Sequence, residues 1–334
     1  MCGVNVSCKG CFSSLQFLKI GYIKINDGSD IMSLTRCEFE ILRYLEHERN
    51  EIYDIRKLSD SLCISGTAVM KGLDELYDRG LIVRNDKKLT INTDGLEALE
   101  PYRVKRAIIV GAGFGSRMMP ATKDRPKPMV TVNGVRIIDT LLDALVAVGI
   151  KDITVVGGYK VEKMYELLEK YPYIRILNNT KYDKENNISS ALLSMDYFYG
   201  GCYFCEADLY ITNPDVISKY QYSTNILGSW SLETDDWCFK MVDGYLDNYR
   251  KGNTYCYNYY GISYWTDEDS KKLKKDWVEL HDEPDGKQLF WEFPPFIYRK
   301  ERYRVEIRPC KKQDIMEIDN YYELAQLDPK YSGQ

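Results

Sequence analysis

The sequence has few histidines, no long apolar run and no excess of positive charge. Only two histidines occur among 334 residues, which argues against a histidine-rich metal centre. No run of about 18 apolar residues appears, so we expect no membrane-spanning helix. The first residues lack a basic segment followed by an apolar one, and the expected compartment is therefore the cytoplasm. The formal net charge of −5 provides no general electrostatic surface for nucleic acid.

Ten cysteines are present, but their distribution does not indicate a disulfide framework. They are scattered through predicted core elements, which is typical of reduced thiols in a cytosolic protein. Two Cys-x-x-Cys pairs occur, Cys8 with Cys11 and Cys202 with Cys205. The second pair lies in an apolar run that predicts a strand, where residues three apart point to opposite faces. We therefore favour free thiols over a structural zinc site.

A glycine-rich stretch directly follows a short apolar one. Ala107–Val110 predicts a buried strand, and Gly111-Ala-Gly-Phe-Gly-Ser-Arg117 comes next. Glycines at such a turn let backbone N–H groups approach a phosphate closely. Arg117 and, further on, Lys127 supply positive charge suited to a triphosphate. The spacing matches neither the Walker loop nor G-x-G-x-x-G, but the combination favours a nucleotide-binding enzyme over a structural turn.

Strand and helix patterns alternate from about residue 101 onward. The candidate strands are Ala107–Val110, Ile153–Val156, Ile174–Leu177 and Cys202–Cys205, and the candidate helices are Ile137–Val148, Val161–Lys170 and Ser189–Tyr197. This alternation predicts a parallel sheet with helices on both faces and ligands at the carboxyl ends of the strands. The region from about 220 to 300 is rich in tyrosine and tryptophan and predicts a less regular α+β portion, which we expect to form a lid and an acceptor pocket.

Residues 32–100 predict a separate small module of three helices and a hairpin. The helices begin near Leu34, at Ile55 and after Ser65, and the hairpin joins Leu81–Val83 to Leu89–Ile91. This order resembles the winged helix-turn-helix of MarR-like regulators. Residues 1–31 are cysteine-rich and unpatterned, and we expect either a disordered extension or translation that begins at Met32.

The charge of this module argues against DNA binding. Residues 32–100 contain 10 Lys and Arg against 14 Asp and Glu, a net charge of −4. The helix in the recognition position carries Lys71 and Arg79, but also Asp74, Glu75 and Asp78. Since DNA binding depends on neutralising phosphates, this helix would largely repel the duplex. We therefore favour a regulatory or dimerising role, with a homodimer as the partner state.

Five separated motifs resemble those of the bacterial phosphocholine cytidylyltransferases of the LicC type, within the nucleotidyltransferase family. In order they are Ala107–Arg117, Pro126–Pro128, Asn186–Ala191, Glu206–Asp208 and Glu317–Asp319. The resemblance covers about residues 105–330. It implies a Rossmann-like α/β nucleotidyltransferase domain with a mostly parallel central sheet over 101–334, preceded by the small winged helix-turn-helix domain. Two positions depart from the family pattern: Gly111 replaces the first alanine of Ala-Ala-Gly, and Glu206 replaces the first aspartate of Asp-Ala-Asp.

The resemblance also implies a role for each motif. Mg²⁺ would be bound by Asp208, Glu317 and Asp319, because it prefers carboxylate and phosphate oxygens. Lys127 and Arg117 would be the catalytic cations that balance phosphate charge. The residues implied for nucleotide binding are Gly111, Ala112, Gly113, Gly115, Ser116, Asn187, Ser189 and Ser190. For the last three, an ordinary helix N-cap remains an equal alternative.

The acceptor site is the least determined part. The resemblance assigns the choline-cage positions to Trp237, Phe290 and Trp291, and adds Tyr264 and Glu292 to the acceptor site. Aromatic faces attract a trimethylammonium group. A primary ammonium would instead favour hydrogen bonds to carboxylates, which Asp235, Asp236 and Glu292 offer.

The expected reaction is Mg²⁺-assisted, in-line transfer of the cytidylyl group of CTP to phosphocholine, giving CDP-choline and pyrophosphate. A phosphate monoester is already an anionic nucleophile, so the reaction needs positioning and charge neutralisation rather than a base. Two alternatives stay open. In the first, the reaction is the same but the acceptor is 2-aminoethylphosphonate or phosphoethanolamine. In the second, the protein is a transcription regulator that senses a nucleotide. A sugar-1-phosphate acceptor is disfavoured, because the region is short for the usual C-terminal additions.

Overall fold

The described residues between 33 and 99 form four helices and a two-stranded antiparallel hairpin. The computed structural model describes residues 33–48, 54–85 and 88–332, so the predictions for residues 1–31 and Met32 lie outside the described residues. The elements are α1 (Arg36–His47), α2 (Ile55–Leu62), α3 (Gly66–Asp78), β1 (Ile82–Asn85), β2 (Lys88–Ile91) and α4 (Thr93–Leu99). The expected three helices and hairpin are present, and α4 is an additional helix that the sequence analysis missed.

Local side-chain caps explain where these helices begin. The Thr35 hydroxyl accepts a hydrogen bond from the Glu38 backbone N–H, and the Glu38 carboxylate accepts one from the Thr35 N–H. This capping box satisfies two of the N–H groups that a helix start leaves unpaired. Asn92 caps α4 by accepting from the Gly95 N–H at 2.9 Å. Asparagine is a common N-cap residue, so Asn92 could have predicted the start of α4 from the sequence.

The rest of the chain is built on a seven-stranded sheet with helices on both faces. Seven strands form this sheet, and four more form two small pairs. In chain order the strands are β3 (Arg106–Val110), β4 (Thr131–Val132), β5 (Val135–Arg136), β6 (Asp152–Gly157), β7 (Arg175–Asn178), β8 (Cys202–Glu206), β9 (Leu209–Ile211), β10 (Asn225–Val242), β11 (Tyr245–Trp265), β12 (Glu306–Cys310) and β13 (Ile315–Glu317). The helices are α5 (Ile137–Ala147), α6 (Ile188–Ser194), α7 (Asp267–His281) and α8 (Tyr321–Leu327). In the main sheet the spatial order is β10-β12-β11-β8-β3-β6-β7, and β4 with β5 and β9 with β13 form small antiparallel pairs.

The centre of the sheet is parallel. Strands β8, β3, β6 and β7 run in one direction, whereas β11 is antiparallel to β8. Apolar clusters cover both faces of these strands, one packed around α5 and the other around α6 and α7. The fold is therefore an α/β, Rossmann-like fold with a mostly parallel central sheet, which confirms the prediction.

Three local expectations need correction. The segment predicted as a helix over Val161–Lys170 is a 3₁₀ helix, Val161–Glu169, and the predicted helix Ser189–Tyr197 is α6 followed by one 3₁₀ turn. The region from 220 to 300, expected to be a less regular α+β portion, is α+β but regular, with a long antiparallel ribbon, β10 with β11, and the 15-residue helix α7. Bulges along the ribbon interrupt the alternation that would have revealed the strands. Cys202 and Cys205 are buried free thiols.

The N-terminal elements pack against the segment that leads into β10. Tyr222 stacks on Tyr102 at 5.4 Å between ring centroids, and Tyr220 is buried in the same apolar cluster as the cores of α1 and α3. Arg36 forms an ion pair with Glu306 at 2.6 Å. These contacts lie where β10 and β12 begin, at the amino end of the parallel strands. Among the described residues, every helix is too short or too polar to cross a membrane.

Candidate active site

A cavity of about 640 Å³ opens at the carboxyl ends of β3 and β8. Residues at the ends of neighbouring parallel strands meet at one sheet edge, which is where ligands bind in such folds. The cavity brings together most of the residues that the sequence analysis selected. These are Gly111, Ala112, Gly113, Gly115, Ser116, Arg117, Lys127, Asn187, Ser190, Asp208, Trp237, Phe290, Glu292, Glu317 and Asp319.

Two glycines of the loop after β3 are required by close packing. A Cβ at Gly111 would lie 2.5 Å from the Ala207 Cβ, and one at Gly115 would lie 2.9 Å from the Lys127 Cβ. Gly115 also has a φ of +60°, which side chains disfavour. A Cβ at Gly113, by contrast, would meet no protein atom within 4 Å. The loop is thus fixed at both ends and leaves open space over Gly113 for a ligand.

Three carboxylates converge on one point of the cavity. Asp208 follows β8, and the antiparallel pairing of β13 with β9 brings Glu317 and Asp319 beside it. One oxygen from each of the three lies within 4.8 Å of the others. The Asp208 Oδ1 atom is buried and has no hydrogen-bond partner. Burial and the neighbouring Asp208 and Asp319 carboxylates raise the pKa of Glu317 well above its ordinary value. An all-oxygen set with an unsatisfied atom fits a hard divalent cation such as Mg²⁺.

Two side-chain cations contact these carboxylates. The Lys127 Nζ lies 2.9 Å from Asp208 Oδ2 and 3.1 Å from Asp319 Oδ1. The Arg117 guanidinium reaches Asp319 Oδ2 at 3.1 Å from the exposed side of the loop. Burial alone would lower the pKa of Lys127, but Asp208 and Asp319 raise it above the ordinary value, so the ammonium is charged. A fixed positive charge therefore lies beside the carboxylates, on the same side of the cavity as the glycine loop.

The other end of the cavity combines aromatic rings with buried acids. Trp237 stacks on Tyr249 at 5.0 Å, and Phe290 meets Trp237 edge-on at 6.3 Å. The Tyr249 hydroxyl donates to Glu292 Oε1 at 3.3 Å, whereas Glu292 Oε2 is buried without a partner. Burial raises the pKa of Glu292 to about 7. Unsatisfied carboxylate oxygens beside π faces suit an organic cation.

Glu206 belongs to the same group of acids. It ends β8 and lines the cavity beside Glu292 and Tyr259. Burial, and then the charges of Glu292 and Asp208, raise the pKa of Glu206 well above its ordinary value. Glu206 was noted from the sequence only as a departure from the family motif, and its place at the cavity wall is a structural finding.

Three sequence-selected residues do not line the cavity. Trp291 is fully buried behind the wall, so it offers no ring face to a ligand. Tyr264 pairs with Tyr203, toward the amino end of β8 and away from the cavity. Ser189 is buried, and its hydroxyl donates to the Asn186 carbonyl. Which residue of a segment faces the cavity depends on tertiary packing, which neither sequence spacing nor resemblance contains.

Further lining residues were missed by the sequence analysis. They are Asn179, Tyr182, Glu185, Asn186, Lys251 and Tyr259. Asn179 had a usable signal, because it closely follows a predicted strand whose carboxyl end had to reach the site. Its amide donates to the Ser189 and Ser190 hydroxyls, both at 2.9 Å, and so orients the start of α6. Tyr182 packs edge-on against Phe114 of the glycine loop.

Comparison with known proteins agrees with this geometry. Residues 106–227 match the family model described as nucleotidyl transferase. The chain is 36% identical over 228 residues to the 2-aminoethylphosphonate cytidylyltransferase of Lancefieldella rimae, covering 67% of this chain and 92% of that protein. It is 28% identical over 230 residues to the choline-phosphate cytidylyltransferase of Streptococcus pneumoniae, covering 67% and 96%. The solved structure of the CTP:phosphocholine cytidylyltransferase LicC from S. pneumoniae superposes with a TM-score of 0.62 at 26% identity, covering 68% of this chain and 99% of that one.

Proposed function

The chain belongs to the nucleotidyltransferase family and is an enzyme of that type, and we propose that it transfers the cytidylyl group of CTP to a small phosphonate or phosphate that carries an amine. Pyrophosphate is the second product. The observation that carries the proposal is a single cavity in which Lys127 and the carboxylates at one end face buried, partly unpaired acids and an aromatic ring at the other.

The proposed reaction is one in-line displacement. An acceptor phosphonate or phosphate oxygen attacks the α-phosphorus of CTP, the bond from that phosphorus to the bridging oxygen breaks, and the electron pair leaves with pyrophosphate. Backbone N–H groups around Gly113 and the Arg117 guanidinium bind the leaving phosphates. Lys127 stabilises charge at the α-phosphate. Because the acceptor oxygen is already anionic, the residues contribute orientation and charge balance.

We propose that Asp208, Glu317 and Asp319 hold Mg²⁺. When bound, the ion would neutralise phosphate charge and help to orient the triphosphate. The cluster geometry and the unpartnered Asp208 oxygen support this proposal. In the absence of the ion, Lys127 and Arg117 balance part of the negative charge of the cluster.

A primary amine suits the acceptor end best, so we propose 2-aminoethylphosphonate as the acceptor, with phosphoethanolamine as its phosphate counterpart. An ammonium group donates three hydrogen bonds; Glu292 offers a buried, unpaired carboxylate oxygen, and the half-buried Glu206 carboxyl group lines the cavity beside it. The relative from L. rimae is named a 2-aminoethylphosphonate cytidylyltransferase, and this similarity supports the same acceptor.

Phosphocholine is the second candidate, and Trp237 is the observation that favours it. Its ring borders the cavity beside Asp235 and Asp236, where a trimethylammonium group would find a π face. Of the three residues of the expected cage, Trp237 and Phe290 line the cavity and Trp291 does not. A quaternary ammonium has no N–H group to donate a hydrogen bond to the unpaired Glu292 oxygen. For this reason phosphocholine is the second candidate.

We further propose that the N-terminal elements form a winged-helix module with a regulatory or dimerising role. The exposed side of α3 carries Met70 and Tyr77 together with two acids, Asp74 and Asp78, and one base, Lys71. This mixed apolar and acidic surface opposes contact with phosphates and suits protein contact better. The module packs at the amino end of β10 and β12, away from the cavity, so the proposed chemistry does not require its residues.

The proposed function is tested by measuring pyrophosphate release with each of the four ribonucleoside triphosphates against 2-aminoethylphosphonate, phosphoethanolamine, phosphocholine and glucose 1-phosphate. We expect turnover with CTP and Mg²⁺, and the highest kcat/KM with a primary-amine acceptor. Preference for a sugar phosphate would reject the acceptor assignment. Preference for phosphocholine would select the second candidate.

A further inference from the structure

Trp291 lies behind the cavity wall and contacts two of the residues that form it. Its backbone N–H donates to the Asn187 Oδ1 atom at 2.8 Å, and its ring Nε1–H donates to the Glu206 Oε1 atom at 3.3 Å. Asn187 and Glu206 both line the cavity, whereas Trp291 is 0% exposed. One buried residue therefore joins the wall near the start of α6 to the wall at the end of β8.

The position of the Trp291 ring is fixed on several sides. The ring packs against Phe204 with centroids 4.5 Å apart, and against Trp265 at 6.4 Å. The Trp277 ring N–H donates to the Trp291 carbonyl at 2.8 Å. Since close-packed aromatic side chains cannot reorient freely, the direction of the Trp291 ring N–H is set by the core.

The Glu206 side chain depends on this donor. Within the described part of the chain, the Trp291 ring N–H is the one hydrogen-bond donor to the Glu206 carboxylate. On its other side, the carboxylate lies against Gly261, where a Cβ would come within 2.8 Å of it. A glutamate held between a fixed donor and the close approach of Gly261 has one favoured orientation, and in it Glu206 lines the cavity.

We propose that Trp291 is a positioning residue that sets the Glu206 carboxylate for the ammonium group of the acceptor. This inference rests on the proposed function, because it takes the acceptor to be a primary amine. It replaces the cage role expected from the sequence, since a fully buried indole acts through its N–H and not through its face. Trp291 thereby determines acceptor affinity without touching the acceptor.

The test compares two variants of the full-length enzyme that each lose one buried hydrogen-bond donor, with CTP and 2-aminoethylphosphonate as substrates. Trp291→Phe removes the ring N–H but keeps the backbone N–H that holds Asn187. We expect the KM for 2-aminoethylphosphonate to rise about tenfold, as for loss of a hydrogen bond to a charged group, with kcat and the KM for CTP nearly unchanged. Tyr303→Phe is the matched control, because it removes a buried donor to a carboxylate, that of Asp276, from the same core without changing a residue that fixes the Trp291 ring. It should leave both KM values unchanged.

Glu206→Gln separates failure of this inference from failure of the proposed function. If Glu206→Gln raises the acceptor KM and Trp291→Phe does not, the positioning role is wrong and the proposed function stands. If Glu206→Gln has no effect, Glu206 does not bind the ammonium group and the inference is overturned, whereas the amine site at Glu292 and the proposed function stand. In the double variant, Trp291→Phe should not raise the acceptor KM beyond its value in Glu206→Gln.

Trp277→Phe is the second variant if Trp291→Phe fails to fold. It removes the hydrogen bond to the Trp291 carbonyl and should raise the acceptor KM to a smaller extent. An unchanged acceptor KM in Trp277→Phe would overturn the inference.

Discussion

Glu292 should make the stability of the ligand-free protein fall as the pH rises. Burial raises the pKa of Glu292 from 4.5 to about 7, so the folded protein keeps a proton that the unfolded chain loses. Stability from this group is fully present below about pH 4.5 and is lost as the pH rises through about 7. At about 1.4 kcal/mol per pKa unit, the pKa difference between the unfolded and the folded state corresponds to roughly 3 kcal/mol in the free energy of unfolding.

The perturbation is Glu292→Gln, which removes the titrating group and keeps the side-chain size. Urea unfolding followed by tryptophan fluorescence gives the free energy of unfolding at about pH 5 and about pH 8. Between these values the wild type should lose roughly 2–3 kcal/mol more than the variant. Glu279→Gln, an exposed position on α7, is the matched control and should behave as wild type. Equal pH dependence in the wild type and Glu292→Gln would refute the reasoning.

Three further predictions follow from the site and the module. Lys127→Met should lower kcat by about 10²- to 10³-fold, as for loss of an electrostatic donor in the transition state; a change in the KM for CTP alone would assign Lys127 to ground-state binding. Asp208→Asn should abolish Mn²⁺ binding, measured by electron paramagnetic resonance, without a change in far-UV circular dichroism; normal Mn²⁺ affinity would reject the metal site. A chain that begins near Pro101 should retain cytidylyl transfer but unfold at a lower temperature, because Tyr220 and Tyr222 lose their covering residues. Complete loss of activity in a well-folded truncated protein would show that the module completes the site.

The parts of the fold that depend on local pattern could be predicted from the sequence. The buried strand Ala107–Val110, the glycine turn after it and the charged residues at strand ends are all visible as short-range spacing. The need for glycine at position 111 is visible only in the structure, because Ala207 and Pro128 leave no room for a Cβ there. Strand ends predicted the location of the cavity, because parallel strands place their carboxyl ends at one edge.

The acceptor end was harder to predict because it depends on orientation. Phe290, Trp291 and Glu292 are adjacent in sequence, yet Phe290 and Glu292 line the cavity and Trp291 is buried behind it. Aromatic composition cannot distinguish a ring in the core from a ring in a wall. The bulged ribbon of β10 and β11 likewise carries no strict alternation, so Tyr259 and Lys251 were not recognised as lining residues.

The most direct test of the central claim is a competition between two acceptors in one reaction. The enzyme is incubated with CTP, Mg²⁺ and equal concentrations of 2-aminoethylphosphonate and phosphocholine, and the cytidylylated products are separated by mass. The buried, unpaired Glu292 oxygen and the neighbouring Glu206 carboxyl group predict that the product of the primary amine accumulates first. Formation of CDP-choline in excess, or of neither product while CTP remains intact, would contradict the account.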